Sequence, residues 1–134
     1  MWLRCSEGQS WNENTCSGTP VSYRLEMVRN KSWIIKGFDD WTLPTLSNLD
    51  SLVGIGGNIT INSRVFPNTY GDCYWSSTES IEYYEEREHW LWGDYIKKQE
   101  NRYWCLDFGD GRKKYKPYTG SSYVRFVRRF DVAG

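Results

Sequence analysis

Residues 37–53 read GFDDWTLPTLSNLDSLV, an aromatic-rich turn that feeds a proline into a short amphipathic segment. Leu46, Leu49, Leu52 and Val53 recur at three- and four-residue spacing, while Ser47, Asn48, Asp50 and Ser51 fill the remaining positions. That period predicts a short helix with one buried stripe. Thr45, just after Pro44, stands where an N-cap hydroxyl belongs. Gly54, Gly56 and Gly57 close the segment with conformations other residues avoid. Trp41 and Leu43 lie just upstream and pack under the first turn in the manner of a hydrophobic staple, which makes Trp41 a core residue.

Outward from this helix the chain reads as short strands. Ile59 and Ile61 alternate with polar residues, and Phe66-Pro67-Asn68-Thr69 marks a turn. GDCYWSST (71–78) and RYWCLDFG (102–109) carry the β-prone aromatic and apolar residues of central strands. Asp110-Gly111 is a two-residue hairpin signal leading into 112–118, where Tyr115 and Tyr118 cover one face. YVRFVRRF (123–130) closes the domain with Val124, Phe126 and Phe130 inward and Arg125, Arg128 and Arg129 outward. At the other end, Met1–Cys5 alternates as a first strand, the loop to Cys16 carries Trp11 at its middle, and 22–33 suits a helix or a strand. The sum is one α+β domain spanning residues 1–134.

The 17 basic and 17 acidic side chains balance, so there is no global field for nucleic acid. Apolar runs last only a few residues, too short for a membrane span, and no signal-peptide pattern opens the chain. The eight tryptophans and ten tyrosines exceed what a small core encloses, so some rings reach the surface as a binding resource. The four cysteines include no CxxC pair and His89 is the single histidine, which argues for disulfides rather than zinc. Cys5 and Cys16 flank a polar loop, and Cys73 and Cys105 sit in strand-like segments, which favours those two pairs among three connectivities. Bridges of this kind imply an oxidising compartment.

Residues 79–101, ESIEYYEEREHWLWGDYIKKQEN, are the least core-like part and read as a loop insertion. Its acids Glu82, Glu85, Glu86 and Glu88 precede Trp90, Trp92 and Tyr95, then Lys97 and Lys98. Trp90, Trp92 and Tyr95 are therefore candidate stacking faces for a ligand. The plainer alternative is a solvated charged helix with the two indoles docked on the core. Lys113, Lys114 and Lys116 with Arg125, Arg128 and Arg129 form a candidate basic patch for sulfate or carboxylate groups, set against ordinary surface charge. Catalytic patterns are weak. His89 stands among glutamates, disulfide pairing removes the thiols it would activate, and Glu85, Glu86 and Glu88 in one charged run suit a solvated face better than a glycosidase pair. No phosphate-binding glycine loop is present, and no cofactor is expected.

Taken in order, MWLRC, the Gln-x-Trp loop, GFDDWxLPT, FPNT, YWSS, LDFGDG and the terminal VRFVR resemble the Lcl C-terminal-like domain family over nearly the whole chain. The family is named for a collagen-like bacterial adhesin and was long catalogued as a domain of unknown function. The resemblance implies a C-type-lectin-like fold, with two short helices flanking a small, twisted, mainly antiparallel sheet and a long loop region. It implies a secreted, cell-surface or periplasmic bacterial setting, a glycan or protein partner, and, by likeness to an adhesin domain, sulfated polysaccharide. Thr42 stands where the family commonly has arginine, the 79–101 segment looks longer than usual, and the resemblance implies upstream sequence ahead of the MWLRC opening, with Met1 as an internal residue. The calcium-lectin patterns Glu-Pro-Asn and Trp-Asn-Asp are absent, so the sequence gives calcium no support.

Overall fold

The computed structural model describes residues 1–29, 33–54, 60–87, 95–117 and 119–128. Its elements in chain order are β1 (Ser10–Asn12), β2 (Thr15–Ser17), β3 (Tyr23–Arg24), α1 (Leu25–Val28), β4 (Trp33–Ile35), β5 (Phe38–Thr42), α2 (Leu46–Asp50), β6 (Cys73–Arg87), β7 (Tyr95–Asp107), β8 (Arg112–Lys116), β9 (Ser121–Ser122) and β10 (Val127–Arg128). Apart from one parallel bridge, Tyr74 to Tyr123, every described strand pairing is antiparallel, and both helices are short, so the domain is α+β.

The expected helix forms at Leu46–Asp50. Thr45 Oγ1 accepts from the Asn48 amide at 3.1 Å and the Asn48 side-chain oxygen accepts from the Thr45 amide at 3.1 Å, a reciprocal capping box. Leu49 is wholly buried, with Leu46, Leu52 and Val53 packed around it. The region that suited either helix or strand is both: β3 runs straight into α1, and β4 follows.

The centre of the domain is the lower half of β6 paired with β7, buried on both faces. Alternation along the strands sends Cys73, Trp75 and Cys105 into one core with Leu25, Val28, Trp41, Val124 and Phe126. It sends Tyr74 and Leu106 into a second core with Leu49, Ile61, Phe66 and Phe108. Trp75 Nε1 donates to the Tyr23 carbonyl at 2.7 Å, so its polar atom is satisfied although the ring is fully buried. Both expected disulfides are formed. Cys5–Cys16 closes the β1–β2 hairpin and Cys73–Cys105 crosses diagonally between β6 and β7, with Cα separations of 5.4 and 5.6 Å.

Four expectations are corrected. Residues 79–101 are not a loop or a helix where they are described: 79–87 and 95–101 prolong β6 and β7 as a two-stranded ribbon beyond β8. Alternating Ile81 and Tyr83 suit a strand, and the register sets Glu85 opposite Lys97. The ladder to β8 ends at Tyr103–Lys116, where Pro117 has no N–H to continue it. The turn after β7 runs from Phe108 to Gly111 rather than through Asp110-Gly111 alone, because Phe108 is drawn into the second core. Met1–Cys5 makes only a bridge, Trp2 to Val127, and Arg125 faces inward, for a reason given below.

Candidate functional site

The N-terminal segment runs antiparallel to residues 124–128 but does not form a regular ladder. The Leu3 amide donates to the Phe126 carbonyl at 3.2 Å and the Glu7 amide to the Val124 carbonyl at 2.8 Å. Four residues on one side therefore match two on the other, and residues 4–6 bulge away. The Arg125 guanidinium fills that bulge. Nη1 donates to the Leu3 carbonyl at 3.1 Å and to the Arg4 carbonyl, and Nη2 donates to Thr69 Oγ1 at 2.7 Å and Ser6 Oγ at 3.4 Å. Its carbon lies 4.9 Å from the Phe66 ring centre and 5.7 Å from that of Tyr74. Arg125 is 0% exposed, and burial pushes its pKa down to about 10, which leaves it charged at neutral pH. Tyr74 is pushed up by its own burial, partly countered by Arg125 and by the Ser6 hydroxyl.

In front of the bulge lies a groove of 680 Å³, a volume suited to a small ligand. Trp2, Trp11, Phe38 and Trp41 line it, and Arg4 and Lys36 add cations. Each is placed by local structure. Trp11 sits at the middle of β1, on the hairpin closed by Cys5–Cys16, and is 39% exposed. The Arg4 guanidinium lies 4.6 Å from the centre of the Trp11 ring. Lys36 and Gly37 take positive φ of 54° and 83° in the tight turn between Ile35 and Phe38, and this places the lysine on the groove. Trp41 Nε1 donates to the Ile35 carbonyl at 3.0 Å, tying the inner wall to the same hairpin. Phe38 is covered by Arg128 at 3.6 Å, and Arg128 Nε is held by Asp40 at 2.6 Å. Glu7 also lines the groove, and half-burial raises its carboxyl pKa.

The residues singled out from sequence, where they are described, are not gathered here. Glu88, His89, Trp90 and Trp92 lie outside the described residues, as do Gly56, Gly57, Ile59, Tyr118, Arg129 and Phe130, and for Tyr95 only the backbone, opposite Arg87, is described. Lys113 and Lys114 are on β8, but carboxylates meet them. Lys114 Nζ is 2.7 Å from Asp107 and 2.9 Å from Asp110, and Lys113 Nζ is 3.9 Å from Asp50. Asp107 and Asp110 raise the pKa of Lys114, while Lys114 and the Arg112 amide lower that of Asp110. Arg125 is the clear correction: it is a buried structural cation, not part of a surface patch with those lysines. Sequence reasoning missed Arg4, Trp11 and Lys36 as neighbours. The Lys36-Gly37 pair ahead of Phe38 was the one local signal, since a residue before glycine at a hairpin tip is projected outward.

No cluster of three or more metal-ligating side chains occurs among the described residues. No helix among them is long and apolar enough to cross a membrane.

These features define a small, disulfide-closed α+β domain with an aromatic, cation-bearing groove. The Lcl C-terminal domain family matches residues 1–128, nearly the full length, and the chain belongs to that family. No curated protein and no solved structure matches it.

Proposed function

We propose that this domain is a non-catalytic recognition module of a secreted or cell-surface bacterial protein, C-type-lectin-like in fold, that binds a glycan in the groove between its N-terminal segment and the β4–β5 hairpin. The observation that carries this reading is the composition of that groove: aromatic rings with Arg4 and Lys36 beside them, in a volume that fits a few sugar residues. An exposed indole offers an apolar face to a pyranose ring, and the two cations favour sugars bearing sulfate or carboxylate groups. The two disulfides suit an oxidising location. The test is a glycan array that includes sulfated polysaccharides, run with and without calcium on the native chain and on Trp11→Ala. Selective, calcium-independent binding that is lost in the variant is the expected result; equal binding by both proteins would remove the groove from the account.

A second reading, a domain that assembles with a protein partner, is favoured by the β6–β7 ribbon. Its Ile81 and Tyr83 are 52% and 62% exposed on a pairing that extends past β8. Sedimentation over a hundredfold concentration range would show a mass increase if the partner is a second copy.

A further inference from the structure

We propose that the backbone amides of Arg4 and Cys5 form an oxyanion subsite in the groove, built and polarised by the buried Arg125, which receives a carboxylate or sulfate group of the ligand. This deepens the recognition reading above and rests on it for its biological meaning. The geometry starts from the peptide bond. In a trans peptide the N–H points opposite to the C=O of the preceding residue. Arg125 Nη1 takes both the Leu3 and the Arg4 carbonyls, so the following amides, those of Arg4 and Cys5, are turned the other way. Arg125 is fully buried and Leu3, Arg4 and Cys5 line the groove, so the other way is outward. Among the described residues neither amide donates a hydrogen bond to the protein, whereas the flanking amides of Leu3, Ser6 and Glu7 each have a partner.

Two adjacent, unpaired N–H groups on one side of a bent backbone make a concavity for an anion. Here they are better donors than usual, because a cation bonded to each carbonyl draws electron density along the same peptide unit. The Cys5–Cys16 bridge restrains the segment on one side and the Leu3 and Glu7 ladder bonds restrain it on both ends, so the pair is held before a ligand arrives. The Arg4 side chain on Trp11 and Lys36 on the β4–β5 turn bring positive charge to the same groove, against Glu7 as its lining carboxylate. A ligand with a ring on Trp11 and an anionic substituent within reach of Arg4 engages both parts.

The test is amide-resolved NMR of the intact, oxidised chain titrated with sodium sulfate and, separately, sodium acetate, with sodium chloride at matched ionic strength as reference. Saturable downfield movement of the Arg4 and Cys5 amide protons is expected in at least one arm and not with chloride, and the better arm tells a tetrahedral from a planar preference. Amides that stay in place or drift without saturating in both arms overturn the subsite. In Arg125→Lys, checked for a native spectrum, the anion is expected to bind about fivefold more weakly, since the ammonium ends one bond short of Nη1 and its single nitrogen cannot hold both carbonyls and the Thr69 and Ser6 hydroxyls at once. Equal affinity in that folded variant overturns the role given to Arg125, and if the variant does not fold the native-chain titration still decides. Because the probes are simple anions, the subsite can fail while Trp11-dependent glycan binding holds, or succeed while that binding fails.

Discussion

Replacing Arg125 with methionine keeps an unbranched stem out to the ε position and removes the guanidinium with its charge and donors. The Leu3 and Arg4 carbonyls then lose their partner, at about 2 kcal/mol each for groups turned inward. Ser6 Oγ keeps Tyr74 and Thr69 Oγ1 keeps the Phe66 carbonyl, so the two hydroxyls add about 1 kcal/mol together. Against these losses, the variant is freed from burying a charge. The depression of the Arg125 pKa from 12.5 to about 10 corresponds to about 3 kcal/mol of unfavourable burial. The balance is a net loss of about 2 kcal/mol, which for a domain of this size lowers Tm by about 7 °C. Urea unfolding of the oxidised protein measures it as a lower midpoint at unchanged slope. Arg128→Met is the companion. Its ion pair with Asp40 is partly exposed, so the loss is expected below about 1 kcal/mol. A methionine at 125 that leaves stability unchanged or raises it would refute the claim that this guanidinium organises the N-terminal bulge.

Thr45→Ala removes one arm of the capping box and is expected to cost about 1 kcal/mol by the same unfolding assay, with Thr45→Ser close to the native chain. Reduction costs stability that grows with the logarithm of loop length, about 3 kcal/mol for Cys5–Cys16 and about 4 kcal/mol for Cys73–Cys105, read from paired serine variants. Glu7 is raised in the folded state, so the folded protein holds its proton where the unfolded chain has released it. Its contribution to stability therefore falls as pH rises from 4.5 through the folded pKa, and Glu7→Gln is expected to lessen that fall in a pH series of urea midpoints. For Asp110, Lys114→Gln removes the chief cause of its lowered pKa, and its carboxyl titration by NMR is expected to move up.

Much of the fold was legible because its signals are local. The Leu46–Leu49–Leu52 spacing with Thr45 before it specifies a capped helix by period and hydrogen bonding alone. The two cysteine pairs followed from which segments could lie side by side. The ribbon was harder, since acids followed by aromatics and lysines suit a solvated helix as well as a strand. Only the antiparallel pairing, which sets Glu85 against Lys97, decides between them. Arg125 was misread for a different reason. Alternation with Val124 and Phe126 points it away from one core, and on an outer strand that means solvent. Here the far side is a second core, with Phe66, Tyr74 and the N-terminal backbone on it. Nothing within residues 123–130 encodes that second layer. The groove was hidden likewise, because Arg4, Trp11, Lys36 and Phe38 come together only through long-range pairing of Leu3 with Phe126 and of Arg128 with Trp41.

The most direct test of the groove is to see which indole a ligand touches. The chain is labelled with 5-fluorotryptophan, its eight resonances are assigned by single Trp→Phe variants, and the strongest array ligand is titrated in while fluorine spectra are recorded. Saturable shifts of Trp11 and Trp2, with Trp75 unmoved in the core, are the predicted result. Shifts confined to Trp90 and Trp92 would place recognition at residues 88–94 and contradict the account.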